Sequence, residues 1–269
     1  MASAISGKVN LGERQINLEP GSASNELNYG KMQFETRYTY DFAKRFLPSE
    51  GRRILEVGCG TGELAARLSK DGYAVVAIDS DRGSIAAAQR LGVDARIATW
   101  PDFDDARFDA VLFSRSLHHI HPLDGSVRRA ADSLTEGGRI IVEDFAYDSA
   151  DEKTLRWFTS AIRVLAATGL LTITDEVVEK VLSNAEMLSA WQQNHEPELH
   201  TAAEIGAQLE KMFGRVVKEN AAYYFRYLAS AITSTEKRNA ILEAFAEQEE
   251  TLAAGGSIVS LGRRFVVQR

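Results

Sequence analysis

Apolar residues in the middle of this chain gather into short runs, and each run leads into a stretch where they recur three or four positions apart. The run Arg53–Val57 precedes helical spacing over Gly62–Lys70, which Gly72 closes. The run Ala74–Asp79 precedes a helical stretch over Arg82–Leu91, closed by Gly92. A shorter run at Ala95–Ala98 and a Pro/Asp-rich loop lead to Ala110–Ser114. A helix over Gly125–Leu134 and a Gly137-Gly138 turn then lead into Arg139–Asp144. This change of period predicts strands alternating with helices. Short, continuous, β-branched-rich strands belong to a parallel sheet covered on both faces, so the fold class is α/β.

The rhythm changes on either side of this block. Phe34, Tyr38, Phe42 and Phe46 recur every four residues and mark one face of a helix from Tyr29 to Phe46, stopped by Pro48. Residues 1–27 are rich in Gly, Ser and Asn and read as a loose arm or a segment ordered by ligand. From Asp148 to Thr201 the pattern holds no strand, and helices are predicted over Lys153–Thr168 and Asp175–Gln193. Alternation returns with helix Ala202–Phe213, strand Arg215–Phe225, helix Thr235–Ala253 and strand Ile258–Val267. The chain thus divides into an N-terminal arm and aromatic helix (1–50), a core (51–147), a helical insertion (148–201) and the rest of the core sheet (202–269). The insertion reads as a cap on the ligand-binding edge or as extra core-covering helix. As a cap it would present Trp157, Met187 or Trp191 to a pocket.

Composition trims the function classes. At 269 residues, 45% hydrophobic and 26% charged, the chain is an ordinary globular one. A net charge of −7 with no basic stripe argues against a nucleic-acid partner. No apolar run approaches the roughly 20 residues of a membrane helix. The start MASAISGKVNLGERQ lacks the apolar core of a secretory signal, and the single cysteine, Cys59, fits a reducing compartment. A cytoplasmic protein is expected, and a homo-oligomer is compatible with the sequence.

The densest chemistry lies between the first strand and first helix, in ILEVGCGTGEL (Ile54–Leu64). Gly58 and Gly60 let backbone and ligand approach closely and aim helix N–H groups at the ligand. The dinucleotide fingerprint wants a third glycine three residues after the second, where this chain has Glu63. Glu56 and Glu63 would also repel a pyrophosphate, which disfavours a nicotinamide enzyme. A cationic ligand suits them, and S-adenosylmethionine carries both a sulfonium and an ammonium.

Glu56-Val57-Gly58-Cys59-Gly60-Thr61-Gly62 resembles motif I of the class I S-adenosylmethionine-dependent methyltransferases. The resemblance extends through Ala77-Ile78-Asp79, Phe108-Asp109-Ala110-Val111, Leu117-His118-His119-Ile120 and Leu134-Thr135-Glu136-Gly137-Gly138. Five motifs in order are similar to the small-molecule branch that includes the ubiquinone-biosynthesis-type methyltransferases. The resemblance is good over residues 50–145 and weak beyond. It implies a Rossmann-like doubly wound seven-stranded sheet, mostly parallel with the last strand antiparallel, with a helical cap inserted after strand five. It implies S-adenosyl-L-methionine as cofactor, held by Glu56, Gly58, Cys59, Gly60 and Gly62, with Asp79 and Ser80 at the ribose and Ser114 facing the cofactor. The family's acidic residue after strand three is missing. Thr99 and Trp100 are therefore the adenine candidates, with Asp102 as an alternative acceptor. Asp79 has a second reading as a helix cap, which Ser80 or Asp81 would serve better. Cys59, flanked by glycines and far from histidine in sequence, reads as a small packed side chain.

The catalytic candidates are His118, His119, Asp144 and His195. His118 and His119 are read as a base or orienting group, or as caps of the following helix. The His118-His119-x-His121 spacing straddles a turn without supporting cysteines or carboxylates, so no metal is expected. Glu143 and Asp144 end strand five, where the family's substrate pocket begins. His195 and His200 belong to the insertion and its exit. The expected activity is methyl transfer to an O, N or C nucleophile of a small-molecule acceptor by in-line displacement. A non-enzymatic S-adenosylmethionine-binding or regulatory protein is the alternative.

Overall fold

Seven strands carry the architecture: β1 (Arg53–Val57), β2 (Ala74–Asp79), β3 (Asp94–Ile97), β4 (Phe108–Ser114), β5 (Leu134–Phe145), β6 (Val217–Ala221) and β7 (Gly262–Gln268). They form one sheet in the order β3-β2-β1-β4-β5-β7-β6. Pairing is parallel from β3 to β5, and β7 runs antiparallel to both neighbours, β5 and β6. This is the expected seven-stranded, doubly wound sheet with its last strand reversed. The computed structural model describes residues 32–49, 52–195 and 198–269. The arm (1–27) and the Tyr29 start of the first helix lie outside them. No helix among the described residues is long and apolar enough to cross a membrane.

Burial explains why the central strands read as unbroken apolar runs. Leu55, Val57, Val111, Phe113, Ile140 and Val142 share one core with Leu209 and Phe265, while Ile54, Ala110 and Leu112 are buried on the opposite face. Helices α1 (Phe34–Phe46), α2 (Glu63–Lys70), α3 (Arg82–Arg90), α4 (Leu123–Ser133) and α8 (Ala202–Phe213) cover the sheet. A full capping box at Thr201 and Glu204 starts α8.

A second core joins three separated segments. Helices α5 (Glu152–Ala167), α6 (Glu176–Ser183) and α7 (Met187–Gln193) pack with the 3₁₀ turn Tyr224–Leu228, helix α9 (Arg238–Ala254) and Phe34. Leu155, Phe158 and Ile162, at helical spacing on α5, are fully buried there, and Leu165 is partly buried against them. Trp191 is also fully buried, its indole N–H donating to the Tyr147 carbonyl at 2.8 Å. None of Trp157, Met187 and Trp191 lines the main cavity, contrary to expectation.

β5 begins at Leu134 and runs through Gly137-Gly138, where a turn was expected, and β7 begins at Gly262 rather than Ile258. Two further boundaries differ for local reasons. The single helix expected over Asp175–Gln193 breaks at Asn184, whose backbone is extended and whose Oδ1 accepts the Glu186 N–H at 2.9 Å. The strand expected over Arg215–Phe225 stops at Ala221. The buried Glu249 carboxylate accepts the N–H groups of Tyr223 and Tyr224 at 2.7 and 3.0 Å and bends the chain into the 3₁₀ turn.

Candidate active site

The parallel strands end on one side of the sheet, where ligands of open α/β folds bind. A cavity of about 1030 Å³ opens there. It is lined from β1 and its loop, from the ends of β2 and β4, from α1, and from the Tyr223–Tyr227 segment.

The glycine loop is its floor. Gly58, Gly60 and Gly62 all have positive φ (72°, 51° and 81°), a conformation that favours glycine. The N–H groups of Gly58 and Cys59 donate to the Ile78 carbonyl, tying the loop to β2. A Cβ at Gly58 would lie 2.5 Å from the Ser116 side chain, whereas one at Gly60 would meet nothing within 4 Å. Gly60 is therefore where the floor is open. Gly62 does not line the cavity. A Cβ there would lie 2.5 Å from Ala88, so this glycine lets α2 and α3 approach closely.

Asp79 ends β2 at the cavity edge and braces the loop, its Oδ2 accepting the Gly60 N–H and its Oδ1 the Asp81 N–H, both at 2.9 Å. The cap of α3 is Asp81, whose Oδ2 accepts from Ser84 at 2.6 Å, so Asp79 is not consumed as a cap. Ser80, Thr99, Trp100 and Ser114 also line the cavity, whereas Asp102 does not. The Trp100 indole N–H donates to the Ser126 carbonyl at 3.2 Å, leaving only its ring for a ligand.

Glu56 is the anomaly of the floor. Its side chain is buried and its Oε2 has no hydrogen-bond partner. Burial pushes its pKa up to about 8, against the pull of nearby Arg115. Cys59 is inert by the same physics: burial, reinforced by the charge of Glu56, raises its thiol to about 12.

The opposite wall carries the imidazoles. His118 and His119 line the cavity. Asp144 does not; it is wholly buried behind His118. Its Oδ2 accepts the His118 backbone N–H at 3.2 Å, and its Oδ1 lies 2.6 Å from His118 Nδ1, oblique to the ring's N–H direction. Phe145 packs edge-on against the His118 ring at 5.1 Å. His195 sits one layer further back. Its Nδ1–H donates to the Trp191 carbonyl at 2.8 Å, Nε2 accepts from the Tyr227 hydroxyl at 3.3 Å, and its ring stacks on Tyr147. Burial lowers its pKa, so it is a neutral packed imidazole, not a group facing the cavity. The His121 and His200 rings lie 4.0 Å apart, tilted by 44°. Among the described residues no group of three or more His, Cys, Asp or Glu is placed to hold a metal ion.

Sequence reasoning missed the arginines. Arg115 and Arg226 line the cavity beside Tyr223 and Tyr227. Arg226 is almost fully buried and pairs with Glu143 at 2.7 Å, and Arg264 approaches the same oxygen at 3.4 Å. Burial alone would raise the Glu143 pKa, but Arg226 and Arg264 bring it down to about 2. Glu143 is thus an ion-pair centre rather than a free pocket carboxylate. A charged residue directly after a strand was the available signal for Arg115; Arg226 lay just past the segment read as strand, Arg215–Phe225.

Residues 32–202 match the methyltransferase domain family. The chain belongs to that family. This methyltransferase-domain protein is 33% identical over 128 residues to a ubiquinone biosynthesis O-methyltransferase of Azorhizobium caulinodans, covering 45% of this chain and 48% of the relative. It is 34% identical over 100 residues to a demethylmenaquinone methyltransferase of Beutenbergia cavernae, covering 36% and 42%. The chain therefore spans about half, or less, of the curated relatives it matches. Its fold is similar to the plantazolicin methyltransferase BpumL in complex with SAH, with a TM-score of 0.51 at 16% identity over 91% of this chain and 86% of that one. A methyltransferase from Archaeoglobus fulgidus aligns with a TM-score of 0.50 at 14% identity over 92% and 100%.

Proposed function

We propose that this methyltransferase-domain protein transfers a methyl group from S-adenosylmethionine to an oxygen, nitrogen or carbon nucleophile of a small-molecule acceptor. Glu56 carries the reading: a buried carboxyl with one unpartnered oxygen, set in the glycine floor, is completed by an ammonium and opposed by a pyrophosphate. The remaining residues fit the same ligand. The open cradle at Gly60 admits its backbone-hugging portion, Asp79 and Ser80 suit ribose hydroxyls, and Thr99 and Trp100 suit a purine. The names of the curated relatives, both quinone-pathway methyltransferases, support a small-molecule acceptor.

When bound, the cofactor supplies an electrophilic methyl group. The chain's own work is positioning and proton handling. His118, with Nδ1 turned toward Asp144, has Nε2 left to take a proton from an acceptor hydroxyl or ammonium. Asp144 is a positioning residue: it holds the His118 backbone N–H and faces the ring's Nδ1. Phe145 fixes the ring plane. The helical insertion 148–201 and α1 act as the cap that excludes water, contributing Asp175, Thr36 and Thr39 to the cavity wall. A cytoplasmic location accompanies this reading, on the strength of the single cysteine.

The test is turnover: incubate the protein with methyl-labelled S-adenosylmethionine and fractionated metabolite extracts. Label in a small molecule, matched by S-adenosylhomocysteine, supports the reading. Tight cofactor binding with no transfer in any fraction identifies a binding protein instead.

A further inference from the structure

Arg115 is the single non-glycine residue among those described with φ in the left-handed region, at 57°. L-residues adopt that conformation only when the surroundings hold them there, and such outliers collect at ligand sites. Here the Arg115 N–H donates to the Glu143 carbonyl at 2.7 Å, fixing the turn that follows β4. The side chain is exposed to the cavity and makes no hydrogen bond or ion pair with a described residue.

Its surroundings leave positive charge over. Arg115, Arg226 and Arg264 all act on the one carboxylate of Glu143. Arg226 and Arg264 contact it directly, and Arg226 keeps Nε and Nη1 without partners. The nearby acid Glu35 is engaged through both oxygens by Arg238. Glu56, on which Arg115 also acts, is held largely protonated near neutral pH by its burial. A guanidinium that faces a partly desolvated cavity without a direct ion pair to a described residue favours an oxyanion of the ligand.

Topology says which ligand. Arg115 follows β4, and β5 lies on the side of β4 away from β1 and β2, where the glycine loop and Asp79 sit. Phe145, at the end of β5, stacks flat on Tyr223 at 4.6 Å and meets His118 edge-on at 5.1 Å. The arginine wall and the imidazole base therefore share one aromatic floor.

We propose that Arg115 receives an oxyanion group, carboxylate or phosphate, of the methyl acceptor and so turns its nucleophile toward His118. The assignment rests on the methyl-transfer reading and names the acceptor class, an anionic small molecule. Arg226 positions the site by pairing directly with Glu143, which leaves the Arg115 guanidinium without a direct ion pair to a described residue.

The full chain is first saturated with S-adenosylhomocysteine, with binding established by calorimetry. Arginine Nε–H resonances of ¹⁵N-labelled protein are then followed while acetate, and separately inorganic phosphate, is added. The Arg115 signal, assigned with Arg115→Lys, shifts saturably, and affinity falls about tenfold or more in Arg115→Gly, a variant compatible with φ of 57°. No saturable shift with either anion, or equal affinity in Arg115→Gly, overturns the proposal. So does competition: if the oxyanions weaken S-adenosylhomocysteine binding in the wild type but not in Arg115→Gly, and leave 5′-methylthioadenosine unaffected, Arg115 serves the cofactor's carboxylate. Failure of S-adenosylhomocysteine to bind refutes the parent reading separately, and the anion titration on the empty protein still decides the role of Arg115.

Discussion

Glu56 makes the cavity's electrostatics measurable. With its pKa raised to about 8 by burial, the carboxyl is roughly 0.9 protonated at pH 7. A ligand ammonium placed about 3 Å from it contributes on the order of 5 kcal/mol at an effective dielectric near 20, enough to lower that pKa by about four. Binding S-adenosylhomocysteine at pH 7 should therefore expel most of that proton. The free ligand's α-amino group, beside its own carboxylate, is already almost wholly protonated at pH 7, so the net release stays at about 0.9. Calorimetry in buffers of different ionisation enthalpy reads this number as a slope. 5′-Methylthioadenosine, which lacks the amino-acid part, should give a slope near zero, as should Glu56→Gln with the full ligand. Affinity of Glu56→Gln should fall roughly 10- to 150-fold, the worth of about 1.5–3 kcal/mol for one charge-assisted hydrogen bond. The sign carries over to stability. A pKa raised from 4.5 to about 8 gives the empty protein stability that is complete below pH 4.5 and lost as pH rises through 8. The loss reaches roughly 5 kcal/mol at most. Glu56→Gln should therefore melt higher than the wild type at pH 9 when both are empty. A slope below about 0.2, or one unchanged in Glu56→Gln, refutes the reasoning.

Three other predictions follow from the same geometry. Asp79→Ala should weaken S-adenosylhomocysteine binding more than tenfold while the far-UV spectrum stays native, because the mutation removes both the ribose acceptor and the brace on Gly60; calorimetry on the folded variant checks it, and unchanged affinity makes Asp79 purely structural. Asp144→Asn should lower kcat by about 10²- to 10⁴-fold with KM for the acceptor nearly unchanged; equal losses in kcat and KM, with a lowered melting temperature, would assign Asp144 to folding alone. In hydrogen exchange, residues 150–195 and α1 should gain protection when cofactor and acceptor bind, while β1 and β4 stay protected throughout; a segment already fully protected and unresponsive is core, not cap.

The sheet was legible because buried parallel strands write themselves as apolar runs: Ile54, Leu55, Val57 and Val111 to Phe113 have no solvent face to interrupt them. The glycine-floored half of the cavity was legible for a related reason. Positive φ at Gly58 and Gly60, and a carboxylate at a strand end, are local demands that local sequence must meet. The arginine-lined half was not. Arg226 reaches the cavity only because Glu249, 25 residues from Tyr224, captures two backbone N–H groups and ends β6 early. Glu249 itself reads as one more acid on a charged helix, and nothing nearby in sequence shows that it is buried. His195 failed for the converse reason. Its tetrad of aromatic neighbours, Phe145, Tyr147, Trp191 and Tyr227, is assembled from three segments, and they enclose the imidazole behind the wall it was expected to form.

The central claim, that the cavity is built for S-adenosylmethionine and not for a dinucleotide, is tested most directly by parallel titration of the purified chain with S-adenosylhomocysteine and with NAD. One site that fills with S-adenosylhomocysteine at micromolar or lower concentration, with no heat from NAD, is the predicted result. NAD binding tighter than S-adenosylhomocysteine, or no binding of S-adenosylhomocysteine to the folded protein, contradicts it.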